Sequence, residues 1–150
     1  MATISEITVQ GGVLVAHDGS DAATAALRTA VRCAPVFGGS LHVVRAWSFT
    51  SAPVPDGMEP GFVPSIDEFE AGTLASLERD IAEVVSENPD VTISAAVVHG
   101  NVAEKLIDAS SNVELIVLGS RGRGGFAGLL LGSTSDQVSH HAKCRVLIDR

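Results

Sequence analysis

Five short apolar runs recur along this chain, and a different kind of segment separates each from the next. The runs are residues 12–17, Ser40 to Ala46, Val91 to Val98, Leu115 to Leu118 and Arg145 to Ile148. Their wealth of Val, Ile and Leu reads as buried strand. Asp21 to about Phe37 carries Ala22, Ala26, Leu27, Ala30, Val31 and Ala34 at helical spacing behind Ser20, a residue able to cap it. Ser65-Ile-Asp-Glu68 matches a capping box, and the helix it opens carries Ile66, Phe69, Leu74, Leu77, Ile81, Val84 and Val85 before Asn88-Pro89 stops it. Asn101 opens a short helix with Val102, Leu106, Ile107 and Ala109, and Ser133 to Ala142 forms the last. Strands that alternate with helices pair in parallel, because a parallel pair needs a crossover. The expectation is one α/β domain over residues 1–150, with a five-stranded parallel sheet and helices on both faces. Residues 47–64 hold four of the six prolines, so a long irregular loop is expected there.

A net charge of −8 and a pI near 4.9 argue against a nucleic-acid or anionic-membrane partner. No apolar run approaches the length of a membrane span. The first residues lack the basic and apolar regions of a signal peptide, so a cytoplasmic location is expected. Cys33 and Cys144 stand alone, with neither disulfide-scaffold nor zinc spacing, and read as packing residues. None of His17, His42, His99, His140 and His141 has metal-site spacing with a second ligand.

The chemistry concentrates after the fourth run. Gly119-Ser-Arg-Gly122, nine residues, then Gly132-Ser133-Thr134-Ser135 form a loop with six glycines that leads into a helix. Exposed backbone N–H groups ahead of a helix N-terminus make an anion site, most often for phosphate. Gly119 and Gly122 would permit tight turns and close approach of phosphate oxygens, Gly132 would turn the chain into the helix, and Ser133 could cap it or bind phosphate. Arg121 and Arg123 could add local positive charge or be solvated loop residues. Ligands of open parallel sheets bind outside the carboxyl ends of strands, where strand order reverses. His17-Asp18-Gly19-Ser20 follows the first strand, and a 3-2-1-4-5 order would place it across one crevice from the glycine loop. Asp18 could accept a hydrogen bond from an exocyclic amine such as adenine's, or cap the helix.

Other sites fit less well. No Gly-Lys pair exists for a P-loop. Gly122-Arg-Gly124-Gly125-Phe-Ala127 matches a dinucleotide pattern but lies in the last βαβ unit rather than the first. No nucleophile elbow supports a serine hydrolase. No general base lies beside the loop, and Asp136 reads as a first-turn residue that complements the helix dipole.

The spacing Gly-x2-Gly-x9-Gly-Ser at Gly119, Gly122, Gly132 and Ser133 resembles the ATP-binding signature of universal stress proteins. Val13-Leu-Val-Ala-His-Asp-Gly-Ser20, Leu41-His-Val-Val44, Val97-Val-His-Gly100 and Leu115-Ile-Val-Leu-Gly-Ser-Arg-Gly122 resemble other parts of that family, from about residue 12 to 149. The resemblance implies sheet order 3-2-1-4-5, a Rossmann-like fold of the adenine nucleotide alpha hydrolase-like kind. It implies that Asp18 and Val43 contact adenine and that Gly100 lies near the ribose. It places phosphates on Gly119, Gly122, Gly132 and Ser133, with Thr134 and Ser135 adding donors; Thr134 departs from the apolar residue common there. It also implies a homodimer through Arg145, Val146, Leu147 and Ile148.

Three functions follow as alternatives: an ATP-binding stress-response regulator, with AMP or cyclic AMP as other ligands and Mg²⁺ as a companion; a slow ATP hydrolase; and a nucleotide-independent interaction module. A site without a P-loop lysine or an evident base disfavours efficient phosphoryl transfer.

Overall fold

The computed structural model describes residues 6–53, 59–121 and 130–150. Its strands are β1 (Val13–Ala16), β2 (Ser40–Trp47), β3 (Thr92–His99), β4 (Leu115–Gly119) and β5 (Arg145–Asp149). They form one parallel sheet in the order β3-β2-β1-β4-β5. The helices are α1 (Asp21–Cys33), α2 (Ile66–Glu87), α3 (Val102–Ala109) and α4 (Ser133–His141). The expected order of strands therefore holds, and so does the reversal between β1 and β4.

Side-chain alternation along the strands divides the core. Val13, Val15, Leu41, Val43 and Trp47 point to one face and pack with Ala26, Leu27 and Ala30 of α1 and Leu77, Ile81 and Val84 of α2. Leu14, Val44, Ile116 and Leu118 point to the other and pack with Leu106 of α3 and Val138 of α4. Cys33 packs against the first cluster and Cys144 against the second, as expected of packing thiols. Burial pushes the Cys144 thiol pKa up.

The helix starts follow the sequence closely. Ser20 accepts from the Ala23 N–H at 3.1 Å, and Ser65 and Glu68 complete the capping box of α2. Helix α1 stops short of the expected Phe37. Pro35 cannot donate to an α-helical ladder, so Ala34–Phe37 tighten into a 3-10 turn that ends at left-handed Gly38. Two faces also differ in detail. Ala23, not Ala22, is buried on α1, while Ile66 and Val85 of α2 face solvent.

His42 lies on β2 with its Nδ1 2.8 Å from the Ser94 hydroxyl and its Nε2 buried. Burial lowers its pKa below 6.5, opposed in part by the Gly11 carbonyl. The unfolded chain thus takes the proton first as pH falls. This residue's contribution to stability is intact above pH 6.5 and declines below it. His42→Leu is expected to reduce the loss of urea midpoint between about pH 8 and about pH 5. An unchanged difference would remove His42 as its source.

Candidate functional site

The carboxyl ends of β1 and β4 meet at the start of α1. After Ala16 the chain continues as His17-Asp18-Gly19-Ser20, and Gly19 takes φ +88°, which only glycine adopts readily. The Asp18 carboxylate accepts from the Ser20 N–H at 2.9 Å, so it folds the turn while Ser20 caps the helix. The alternative of Asp18 as the cap is therefore replaced by a division of labour.

Gly119 belongs to β4 and pairs with Asp149. It lies outside the left-handed region, so the expected tight turn is not why glycine stands there. A Cβ there would lie 3.4 Å from the Ala22 carbonyl oxygen, in ordinary contact with the first turn of α1. Ser120 then gathers the loop. Its N–H bonds the Asp149 carbonyl, and its own carbonyl accepts from the Gly132 N–H and the Ser135 hydroxyl. Ser120 and Gly132 thus meet, next to the Gly119 contact with the first turn of α1.

Gly132 is the N-cap of α4, with an ordinary φ of −73°. No side chain caps this helix. Ser133 is its first residue rather than its cap, and its hydroxyl accepts from the Gln137 side chain at 3.1 Å. The Ser135 side chain is buried against the Ser120 and Gly132 carbonyls, so its hydroxyl holds the loop together. Thr134 is half-buried and Arg121 is exposed. Gly122 and Arg123 lie outside the described residues. The first-turn N–H groups of α4 carry the partial positive charge of the helix dipole.

Val43 and Gly100 separate. Val43 is 1% exposed, pairs with Val15 and sits in the core below the strand ends. Because Ala16 pairs with Val44, continuing the register by two residues puts Ala46 level with Asp18. Sequence reasoning did not single out Ala46 at this level of the sheet. Only the register of β1 against β2 could have found it. Gly100 has φ +123° and donates its N–H to the Trp47 carbonyl at 3.1 Å, so it lies at the same end of the sheet, one strand further out. Arg145, Val146, Leu147 and Ile148 form β5, which lies at one edge of the sheet. Arg145 stacks over Phe37 at 5.6 Å and lies 3.6 Å from Glu114.

An apolar hollow of about 200 Å³ lies elsewhere, between Ile7 and Val9 and the Val44, Ala96 and Val98 face of the sheet. Glu6 and Thr8 are the polar residues of its lining.

The model of the universal stress protein family matches residues 12–150. Universal stress protein Rv2005c of Mycobacterium tuberculosis is 36% identical over 138 residues, which cover 92% of this chain and 45% of that protein. The chain thus spans about half the length of the mycobacterial relatives it matches. A universal stress protein of Thermus aquaticus is 35% identical over 141 residues, covering 92% of this chain and 97% of its own. A universal stress protein solved in complex with cAMP superposes with TM-score 0.65 at 24% identity, over 94% of this chain and 96% of that one. That likeness carries the fold.

Proposed function

The chain belongs to the universal stress protein family, and from that premise we propose that it binds an adenine nucleotide at the carboxyl ends of β1 and β4. ATP is the ligand of this reading, with AMP and cyclic AMP as competitors, and the protein acts as a stress-response regulator or switch. One observation carries it. Ser120 bonds Gly132, the N-cap of α4, and Ser135, and the neighbouring Gly119 lies against the first turn of α1, the helix that follows the Asp18 turn. Phosphates would lie on the backbone of Gly119, Gly122, Gly132 and Ser133, with Arg121 and Arg123 nearby. Adenine would lie between Asp18 and the backbone of Ala46, which takes the place first given to Val43. The ribose would lie toward Gly100. The cAMP bound to a neighbour of the same fold supports this class of ligand.

Among the described residues, no three His, Cys, Asp or Glu side chains gather to hold a metal. A Mg²⁺ ion arriving with ATP would therefore be held mainly through phosphate oxygens. The reading takes the protein to be a cytoplasmic homodimer paired through β5, whose outer edge can meet its own copy about a twofold axis.

Thermal and urea unfolding test the proposal. A nucleotide at 100 times its dissociation constant is expected to stabilise the protein by about 2.7 kcal/mol. Asp18→Ala is expected to weaken ATP binding about tenfold, or about 1.4 kcal/mol. No shift with ATP, AMP or cyclic AMP, and no nucleotide released on denaturation, would overturn the site. Steady ATP consumption above about one turnover per second would instead make the protein an enzyme.

A further inference from the structure

Arg45 lies on β2, beside Ala46 and away from the glycine loop, yet it reaches the Asp18 turn from below. Its side chain is 11% exposed and lies against His17 and helix α2. Nε–H donates to the His17 carbonyl at 2.8 Å, Nη2 donates to Asp80 of α2 at 2.8 Å, and Nη1 donates to Ser76 of α2 at 3.3 Å. Nη2 also lies 2.9 Å from His17 Nδ1.

That last contact decides the state of His17. A guanidinium has no acceptor, so Nδ1 must accept. The Gly19 N–H, 3.1 Å away, donates to the same nitrogen. The imidazole proton therefore sits on Nε2, which donates to the Thr24 hydroxyl at 3.0 Å. The Thr24 hydroxyl in turn donates to the Ser20 carbonyl at 3.4 Å. His17 is 1% exposed, so these bonds act without competition from water. The contacts run from α2 through Arg45 and His17 to both sides of Asp18-Gly19.

We propose that Arg45 is a positioning residue of the nucleotide site: by fixing the neutral Nε2–H form of His17, it sets the conformation of the Asp18 turn and ties it to α2. This rests on the nucleotide-binding reading above for its functional consequence, and on the hydrogen bonds alone for its structural part. The role needs the planar fork of arginine, since a lysine ammonium cannot serve the His17 carbonyl, Nδ1 and Asp80 in those directions at once.

The test uses the full chain and Arg45→Met, which keeps the apolar stem and removes the guanidinium. ATP affinity by calorimetry is expected to fall about tenfold. The ¹⁵N signals of the His17 imidazole are expected to change from a single Nε2–H form to a mixture of tautomers. Amide exchange at Gly19 and Ser20 is expected to quicken relative to that in β1. Where Arg45→Met does not fold, Asp80→Asn releases one anchor of the guanidinium and is expected to give the same changes in smaller measure. If the wild-type chain binds no nucleotide, the site reading falls, and the imidazole spectrum and amide exchange still decide the role of Arg45. An unchanged His17 spectrum with unchanged exchange at Gly19 in a folded variant overturns the proposal.

Discussion

Trp47→Ala is expected to lower the unfolding free energy by about 3–5 kcal/mol, which is a large share of the roughly 5–15 kcal/mol that holds an ordinary domain together. Trp47 is the one tryptophan of the chain and is 2% exposed. It closes the core cluster under α1 and α2 at the carboxyl end of β2. Its ring stacks on Phe69 of α2 at 6.0 Å and lies 4.6 Å from the ring of His99 on β3. Phe49 meets it edge-on at 5.6 Å. Truncation would leave a cavity walled by two strands and a helix, whose backbones cannot collapse inward. Urea denaturation followed by far-ultraviolet circular dichroism measures the loss, which corresponds to a fall in Tm of roughly 6–20 °C. Trp47→Phe separates size from polarity. The indole N–H is buried without a partner. Losing it removes a desolvation penalty of about 1–3 kcal/mol, so the phenylalanine variant is expected to cost less than its lost volume implies. A cost below about 1 kcal/mol for Trp47→Ala would mean that the ring cluster contributes little.

How far the sequence reached depended on whether a feature was local. Strand periodicity, the Ser65–Glu68 capping box and the prolines act within a few residues, so the element order and most boundaries could be read directly. The reversal between β1 and β4 was implied by the family resemblance and favoured by two unusual loops at strand carboxyl ends. What escaped was set by register and close approach. Val43 and Ala46 are three residues apart on one strand, and only pairing with β1 shows which of them reaches the strand ends. Gly119 looked like a turn residue because its neighbours are glycines and serines, but it belongs to β4 and lies outside the left-handed region. The Ser135 hydroxyl bonds two backbone carbonyls, one of them fifteen residues back along the chain, a contact that its sequence neighbours do not announce. Arg45 gave no signal at all, because its partners come from the turn after β1 and from α2.

The same distinction between local conformation and distant contact underlies the second large effect. Gly12→Val is expected to destabilise the fold by roughly 2–6 kcal/mol, the sum of backbone strain and forced overlap. Gly12 precedes β1 with φ +73°, a conformation that a β-branched residue adopts only under strain. A Cβ there would also overlap the Ser40 hydroxyl and lie 2.6 Å from the Ser40 carbonyl oxygen. The hydroxyl can rotate away, whereas the carbonyl belongs to the first residue of β2. Relief would require moving β1 against β2 at the end opposite the Asp18 turn. Gly11 provides the control. It has φ +69° but nothing within 4 Å of a Cβ position, so Gly11→Ala carries the backbone penalty without the clash. Its cost is expected to be about 1–2 kcal/mol. Comparing Gly12→Ala with Gly11→Ala by urea denaturation isolates the contact with Ser40. Equal costs would show that β1 and β2 yield at this end without loss. A larger cost at Gly12, joined to weaker ATP binding, would show that the register of these two strands is what holds Asp18 and Ala46 level.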